Sequence, residues 1–217
     1  PIAWSNYSEA LTSQPFDRWF FNTIFVVVVS TTATVMSCSV VAFAFARLRW
    51  PGRNILFLVL LATMMLPEQV TLIPTFILFR QLGWVNTFMP LVVPAFFARN
   101  AFYVFLLRQF FMTIPLDLDD AARLDGAGHF GIYWHIILPL SKPALAVTAL
   151  MFAQFKWKEF LAPLIYLNNS NNYTVALGLR TFINNEYGTE WHLVMAANMV
   201  FMVPLILVFF FAQKYFI

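Results

Sequence analysis

Five stretches of this chain are predominantly apolar and read as transmembrane helices, and their length limits the fold more than any other feature. They run Phe20 to Ala46, Ile55 to Leu78, Thr87 to Leu107, Pro143 to Leu167 and Trp191 to Phe211. At roughly 1.5 Å of helical rise per residue, each can cross a hydrocarbon layer of about 30 Å. Of the 217 residues, 61% are apolar and 11% charged, with a mean hydropathy of +0.73, which excludes an ordinary water-soluble globule. The predicted fold class is therefore an all-α polytopic membrane protein. Twenty-six Phe and seven Trp suit lipid-facing and interfacial surfaces.

Pro67, Pro74, Pro90 and Pro94 are expected to break or kink the second and third spans. An odd number of spans puts the two ends on opposite sides, and the basic residues say which side is which. Arg47, Arg49 and Arg53 lie in the first connection, Arg108, Arg123 and Lys142 in the third, and Lys214 after the last span. The other side carries Arg18, Arg80 and Arg180. Residues 108–142 are thus assigned to the cytoplasm, and residues up to about 18, the 79–86 turn and the 168–190 loop to the outside. The outer loop, with Asn168, Asn169, Asn171, Asn172 and Tyr173, reads as a solvated connection, with docking as the alternative.

The cytoplasmic 108–142 loop concentrates features that are scarce elsewhere. Four of the ten acidic residues are Asp117, Asp119, Asp120 and Asp125, and three of the seven glycines are Gly126, Gly128 and Gly131, so the loop has a structure of its own. Pro115 suits the first turn of a helix, and Asp117, Asp119 and Asp120 favour its positive N-terminal end. Ala121, Ala122, Arg123 and Leu124 continue the helix, and Gly126 stops it in a left-handed conformation. A second amphipathic piece (Phe130, Tyr133, Trp134, Ile137) follows, closed by Pro139. A short extramembrane helix with small residues on one side is suited to docking a neighbouring protein; a merely solvated connection is the alternative.

Asp120-Ala121-Ala122, Gly126 after three residues, Ile136 after nine more, then Leu138-Pro139 after one, resemble the cytoplasmic EAA loop of binding-protein-dependent ABC importer permeases, with Asp120 for the usual Glu. Leu107-Arg108-Gln109-Phe110-Phe111, Met65-Leu66-Pro67, Ile73-Pro74, Leu138-Pro139-Leu140-Ser141 and Gln213-Lys214 are similar to its carbohydrate branch, on the side of the second maltose permease subunit. The resemblance implies that residues 1–217 form one ABC importer transmembrane domain of a six-helix type, with a further span before Pro1 and a short tail after Ile217. It implies that Asp117, Asp120, Ala121, Ala122, Leu124, Asp125 and Gly126 form a coupling helix that sits in a cleft of an ATPase subunit. The implied partners are a second, homologous permease subunit, two ATPase subunits and an extracytoplasmic binding protein that delivers a sugar, all at a bacterial inner membrane.

Several charges fall within or near the spans, where an isolated charge costs at least a few kcal/mol, so each must face protein or water. Glu68, Arg99, Asn100, Trp157, Lys158 and Glu159 are the candidate translocation path, since sugar hydroxyls need donors and acceptors and sugar faces stack on aromatic rings. An ion pair of Lys158 with Glu159, or Lys156 snorkelling to the interface, is the competing reading.

Other chemistry finds no pattern. His129, His135 and His192 lack metal-ligand spacing, the single cysteine, Cys38, has no companion thiol, and no GxxxxGK[ST] stretch cradles a nucleotide. No cofactor, metal or catalysis is expected in this chain, and ATP with Mg is expected on the partner ATPase subunits. The basic residues form no nucleic-acid patch. The alternatives in function are an importer of the same architecture for a non-sugar solute, and an ion-coupled secondary transporter working through Glu68 and Glu159.

Overall fold

The computed structural model describes residues 3–183 and 189–212, and the described residues are predominantly α-helical. A short helix α1 (Ser5–Thr12) precedes α2 (Phe16–Arg47), whose 32 residues rise roughly 48 Å at the α-helical pitch. The organising element is α2. Its small residues Cys38 and Ala42, both fully buried, let Val104, Leu107, Phe111 and Phe152 of later helices approach closely. It ends where Leu48 turns to extended backbone.

The second predicted span is not one helix. It consists of α3 (Arg53–Ala62), a 3-10 turn (Thr63–Met65) and α4 (Glu68–Gln81), with the two arms bent by 96°. Pro67 is the cause. The residue before it, Leu66, is forced to extended backbone, and the proline lacks the N–H that would continue the first arm. Pro74 lies inside α4 without ending it. The third span is interrupted too: α5 (Met89–Val92) and a 3-10 turn (Val93–Phe97) lead to Ala98 in the left-handed region and Asn100 in extended backbone, before α6 (Ala101–Thr113) resumes.

Next comes α7 (Asp117–Leu124), which matches the expected loop helix, and then α8 (His129–Leu140). Pro139 does not close α8 as the sequence suggested. The helix passes through Pro139 because residues Tyr133–Ile137 adopt π-helical winding, whose wider turn makes room for a ring that would otherwise collide with the preceding turn. A bend of 76° at Ser141 leads to α9 (Lys142–Trp157). The fourth predicted span, Pro143 to Leu167, is broken after α9 and resumes as α10 (Leu161–Tyr166). After α11 (Val175–Gly178) and a 3-10 turn (Leu179–Phe182), α12 (Trp191–Ala212) completes the described chain. Three helical stretches among the described residues are long and apolar enough to cross a membrane, or up to five if each bent pair counts as one span.

The segments assigned to the outside meet at one end. Asn86, at φ 63°, accepts from the backbone N–H groups of Asn168 and Asn169, while the Asn172 amide donates to its carbonyl at 2.9 Å. The Trp19 indole donates to Ser170 at 2.7 Å, and the Asn22 amide donates to Asn171 and Tyr173. The 168–182 stretch is therefore built into the fold rather than a solvated connection: Val175, Leu177 and Phe182 are buried. Its remaining part at 184–188, and Lys214, lie outside the described residues.

Gly178 lies against the face of the Trp19 ring, which occupies the space a Cβ would need. Because Trp19 is fully buried and tied to Ser170, the ring has little freedom to yield. Gly178→Ala is expected to destabilise the fold by about 1–3 kcal/mol, as overpacking does in close-packed cores. A thermal unfolding series in detergent checks this; an unchanged Tm would contradict the tight approach.

Candidate functional site

At the end of the molecule opposite the Asn86 cluster, α7 forms a finished structural unit. Asp117, Asp119 and Asp120 occupy its first turn, where carboxylates complement the helix dipole. Its far end is a Schellman closure: Gly126 at φ 85° donates to Arg123 at 3.0 Å, and Ala127 donates to Ala122 at 2.9 Å. Asp117, Asp120, Ala121, Leu124, Asp125 and Gly126 are exposed, and Ala122 is half-buried against the core. Asp120 pairs with Arg123 at 2.8 Å, but this contact is open to solvent and contributes only about 0.2–1 kcal/mol. Leu124 is 90% exposed at the tip of the helix. Phe130 and Trp134, stacked at 6.1 Å on the adjoining α8, are exposed as well, so an apolar surface stands beside the acidic helix.

Behind this face lies an arrangement the sequence reading missed. Arg47, treated there as a topology marker, is buried at the last residue of α2. Its Nη2 donates to the carbonyls of Phe111 and Ile114, at 2.7 Å each, where the chain leaves α6; the Phe111 carbonyl also accepts from the Ile114 backbone N–H at 3.3 Å. Its Nη1 lies 3.5 Å from Oδ2 of Asp119, and both side chains are almost wholly excluded from solvent. The available signal was Asp119 itself. On a helix whose other acids are exposed, it lies two residues from Asp117 and so on a different face, the one turned to the protein.

The intramembrane charges gather at the broken spans. Glu68 is the first residue of α4, directly after the Pro67 break; Arg99 and Asn100 lie in the unwound stretch before α6; Glu159 lies in the break between α9 and α10. All four border one polar cleft, together with Thr34, Phe155 and Lys156. Irregular backbone at membrane depth is tolerated where it lines a cavity, because protein or water there can satisfy the freed N–H and C=O groups. Lys156 donates to Glu159 at 2.7 Å, and the pair is 12% and 16% exposed. Two carboxylates and two cations therefore face the same space, with no formal excess of either sign.

Two members of the sequence-predicted path are placed elsewhere. Trp157 is buried on the opposite side of α9, stacked on Phe201 at 5.4 Å with its indole donating to the Phe201 carbonyl at 3.1 Å. Lys158 is exposed and does not border the cleft. The reason is rotational: residue 156 shares the cleft with Glu159 three positions on, whereas residues 157 and 158 are turned away by about 100° and 200°. The Glu159 ion pair is thus made by Lys156, not by Lys158.

Residues 38–217 match the family described as the binding-protein-dependent transport system inner membrane component. The arabinooligosaccharides transport system permease protein AraQ of Halalkalibacterium halodurans is 35% identical, over 92% of this chain and 70% of its own length. The sn-glycerol-3-phosphate transport system permease protein UgpE of Yersinia enterocolitica is 32% identical, over 100% of this chain and 79% of its own. Among solved structures, a bacterial ABC transporter involved in importing the acidic polysaccharide alginate superposes with a TM-score of 0.88 at 28% identity, covering 100% of this chain and 80% of that one. The MetNI methionine ABC transporter shares the fold, with a TM-score of 0.64 at 14% identity, over 92% of this chain and 93% of that one. With its broken apolar spans, its capped loop helix and these relatives, the chain belongs to the inner-membrane permease family of binding-protein-dependent ABC importers.

Proposed function

We propose that this permease carries a sugar or oligosaccharide, delivered by an extracytoplasmic binding protein, through the cleft bordered by Glu68, Arg99, Asn100, Lys156 and Glu159. The observation that carries this reading is the convergence of three chain breaks on that cleft. Each break brings a polar side chain to membrane depth, and the lining is balanced in charge, which suits an uncharged solute rich in hydroxyls. Phe155, exposed at the same space, offers apolar surface to sugar ring faces. The names of the relatives, an arabinooligosaccharide permease and an alginate importer, support a carbohydrate.

Work is supplied from outside the chain. ATP and Mg are bound by two separate ATPase subunits, and a second, homologous permease completes the channel. The α7 face, with Asp117, Asp120, Ala121, Leu124, Asp125 and Gly126, seats in an ATPase subunit; an exposed leucine beside small residues and carboxylates is suited to a partner cleft with apolar walls and a basic rim. Closure of the ATPase subunits moves α7, and the spans rearrange about their breaks.

A second reading has one observation in its favour. Arg99 forms no ion pair within 4 Å among the described residues, so an anionic solute such as a phosphate ester would find a guanidinium there. One experiment separates the two. In proteoliposomes holding the whole transporter, Arg99→Gln and Glu159→Gln are each expected to lower uptake of the neutral sugar by roughly tenfold, the effect of losing about 1.4 kcal/mol of solute contact. Preferential loss of a phosphate ester in Arg99→Gln would favour the second reading, and unchanged uptake and specificity in both variants would exclude the cleft as the path.

The docking face has its own test. Leu124→Asp introduces an unpaired charge where an apolar side chain would be buried, and burying that leucine is worth about 1.5–3 kcal/mol. The variant is expected to retain its fold but to co-purify with at least about tenfold less ATPase subunit than the parent. Equal recovery would remove α7 from the interface.

A further inference from the structure

We infer that Arg47 and Asp119 form the joint that carries movement of α7 into the membrane helices, so that they are positioning residues for transport and not merely stabilisers of the fold. The inference rests on the proposed docking of α7 to an ATPase, and concerns what lies behind that docking face.

The geometry defines a three-way junction. Arg47 is the last residue of α2, the helix against which the others are built. Through Nη2 it holds the carbonyls of Phe111 and Ile114, which lie in the last turn of α6 and just beyond its end. Through Nη1 it faces Asp119, on the inner side of α7. One guanidinium thus bridges two membrane helices and the loop helix. Ile114 and Leu116 frame a connection of only a few residues between α6 and α7, which fixes how far α7 can lie from α6 but not its rotation about that link. The Asp119 contact supplies a second attachment, turned to a different face of α7 from the exposed Asp117 and Asp120.

The joint has no duplicate among the described residues. The other ion pair on α7, Asp120 with Arg123, closes within the helix and reaches nothing outside it. Arg108 donates to Phe45 and lies over the Phe57 ring at 4.0 Å, tying α6 to α2 and α3 without touching α7. Ala122 of α7, and Ala127 just beyond its end, add apolar contact with the core. Small apolar contacts allow sliding, whereas a buried ion pair, costly to separate, resists it.

The test uses the whole transporter, reconstituted with its binding protein, and reads ATP hydrolysis and solute uptake together. ATP-dependent uptake by the unaltered protein must come first; without it the proposed function itself fails, and the joint is not what is being judged. Given that, Asp119→Asn keeps the shape and removes the charge, and Arg47→Lys keeps the charge but cannot serve two carbonyls and a carboxylate as one planar fork does. Both are expected to co-purify with the ATPase subunits and hydrolyse ATP while the solute moved per ATP falls at least about fivefold, a partial-coupling loss of the size seen along coupled networks. An unchanged ratio overturns the inference, as does loss of the ATPase subunits from variants that remain folded. Should neither variant fold, spin labels on Leu118, which is on α7 but not among the docking residues, and Val40, both exposed, report on the joint with Arg47 and Asp119 intact. Their separation is expected to hold within about 2 Å between nucleotide-free and ATP-bound states, and a change of about 5 Å, one helical turn, overturns the joint.

Discussion

A guanidinium almost wholly excluded from solvent sits where three helices of this permease meet, and the α7 end of the structure is arranged around it. Arg47 would be costly at such a position without partners, since a buried ion keeps an effective penalty of several kcal/mol after relaxation. Two carbonyls at the end of α6 and the Asp119 carboxylate offset part of that cost, while Arg47 Nε and Asp119 Oδ1 stay without a partner among the described residues. Removing one partner from such a pair typically costs about 3–5 kcal/mol, because the other charge is left uncompensated. The requirement works in both directions. The guanidinium adds a bond to the Phe111 carbonyl and holds that of Ile114, just beyond the helix, and so fixes where the chain leaves α6 and enters α7.

The membrane half follows a different constraint, that of backbone groups released by broken helices. At Pro67, at Ala98 to Asn100 and at Lys158 to Phe160, helical hydrogen bonding stops within spans that would otherwise lie in lipid. Such breaks persist only where the freed groups are satisfied. Ser37 from α2 is one of the means: its hydroxyl donates to Ala95 at 2.8 Å and accepts from Ala98 at 3.2 Å. Ser30 donates to the Leu91 carbonyl in the same way. Hydroxyls along α2 thereby stabilise the unwound backbone of its neighbour, and the cleft with its charges opens beside that repaired segment. Uninterrupted α2 and its interrupted neighbours thus divide the roles of support and cleft.

How much of this was legible follows from what kind of signal each part leaves. The apolar stretches, the capped α7 helix and its Gly126 stop are local, written in composition and spacing over a few residues, and they were readable, as was the family resemblance. Pro67 as a break was readable too, but a proline announces only that a helix is disturbed: Pro74 and Pro139 are carried inside helices, the latter because π-winding upstream makes room for it. The cleft was legible in Glu68, Arg99, Asn100 and Glu159, since charges at membrane depth need a polar surrounding. Trp157 and Lys158 were misassigned because the turn of α9 at its broken end sets which residue accompanies Glu159, and sequence adjacency does not. Arg47 was hidden most completely, because a basic residue at the end of a span serves topology by default and only tertiary contact distinguishes an anchor from a marker. The outer loop was misread for a related reason: its Asn residues look solvated, yet Asn86 and Asn172 spend their amides on each other's segments.

The central claim is that solute passes through the cleft formed at the breaks, exposed in turn to each side of the membrane. The direct measurement is accessibility of a single thiol placed there: Asn100→Cys, with Cys38 replaced by alanine, in the complete transporter in sealed vesicles of known orientation. A membrane-impermeant thiol reagent is predicted to react from the cytoplasmic face in the nucleotide-free state and from the outer face when ATP is bound and hydrolysis is blocked. Reaction from the same face in both states, or from neither, would contradict the account.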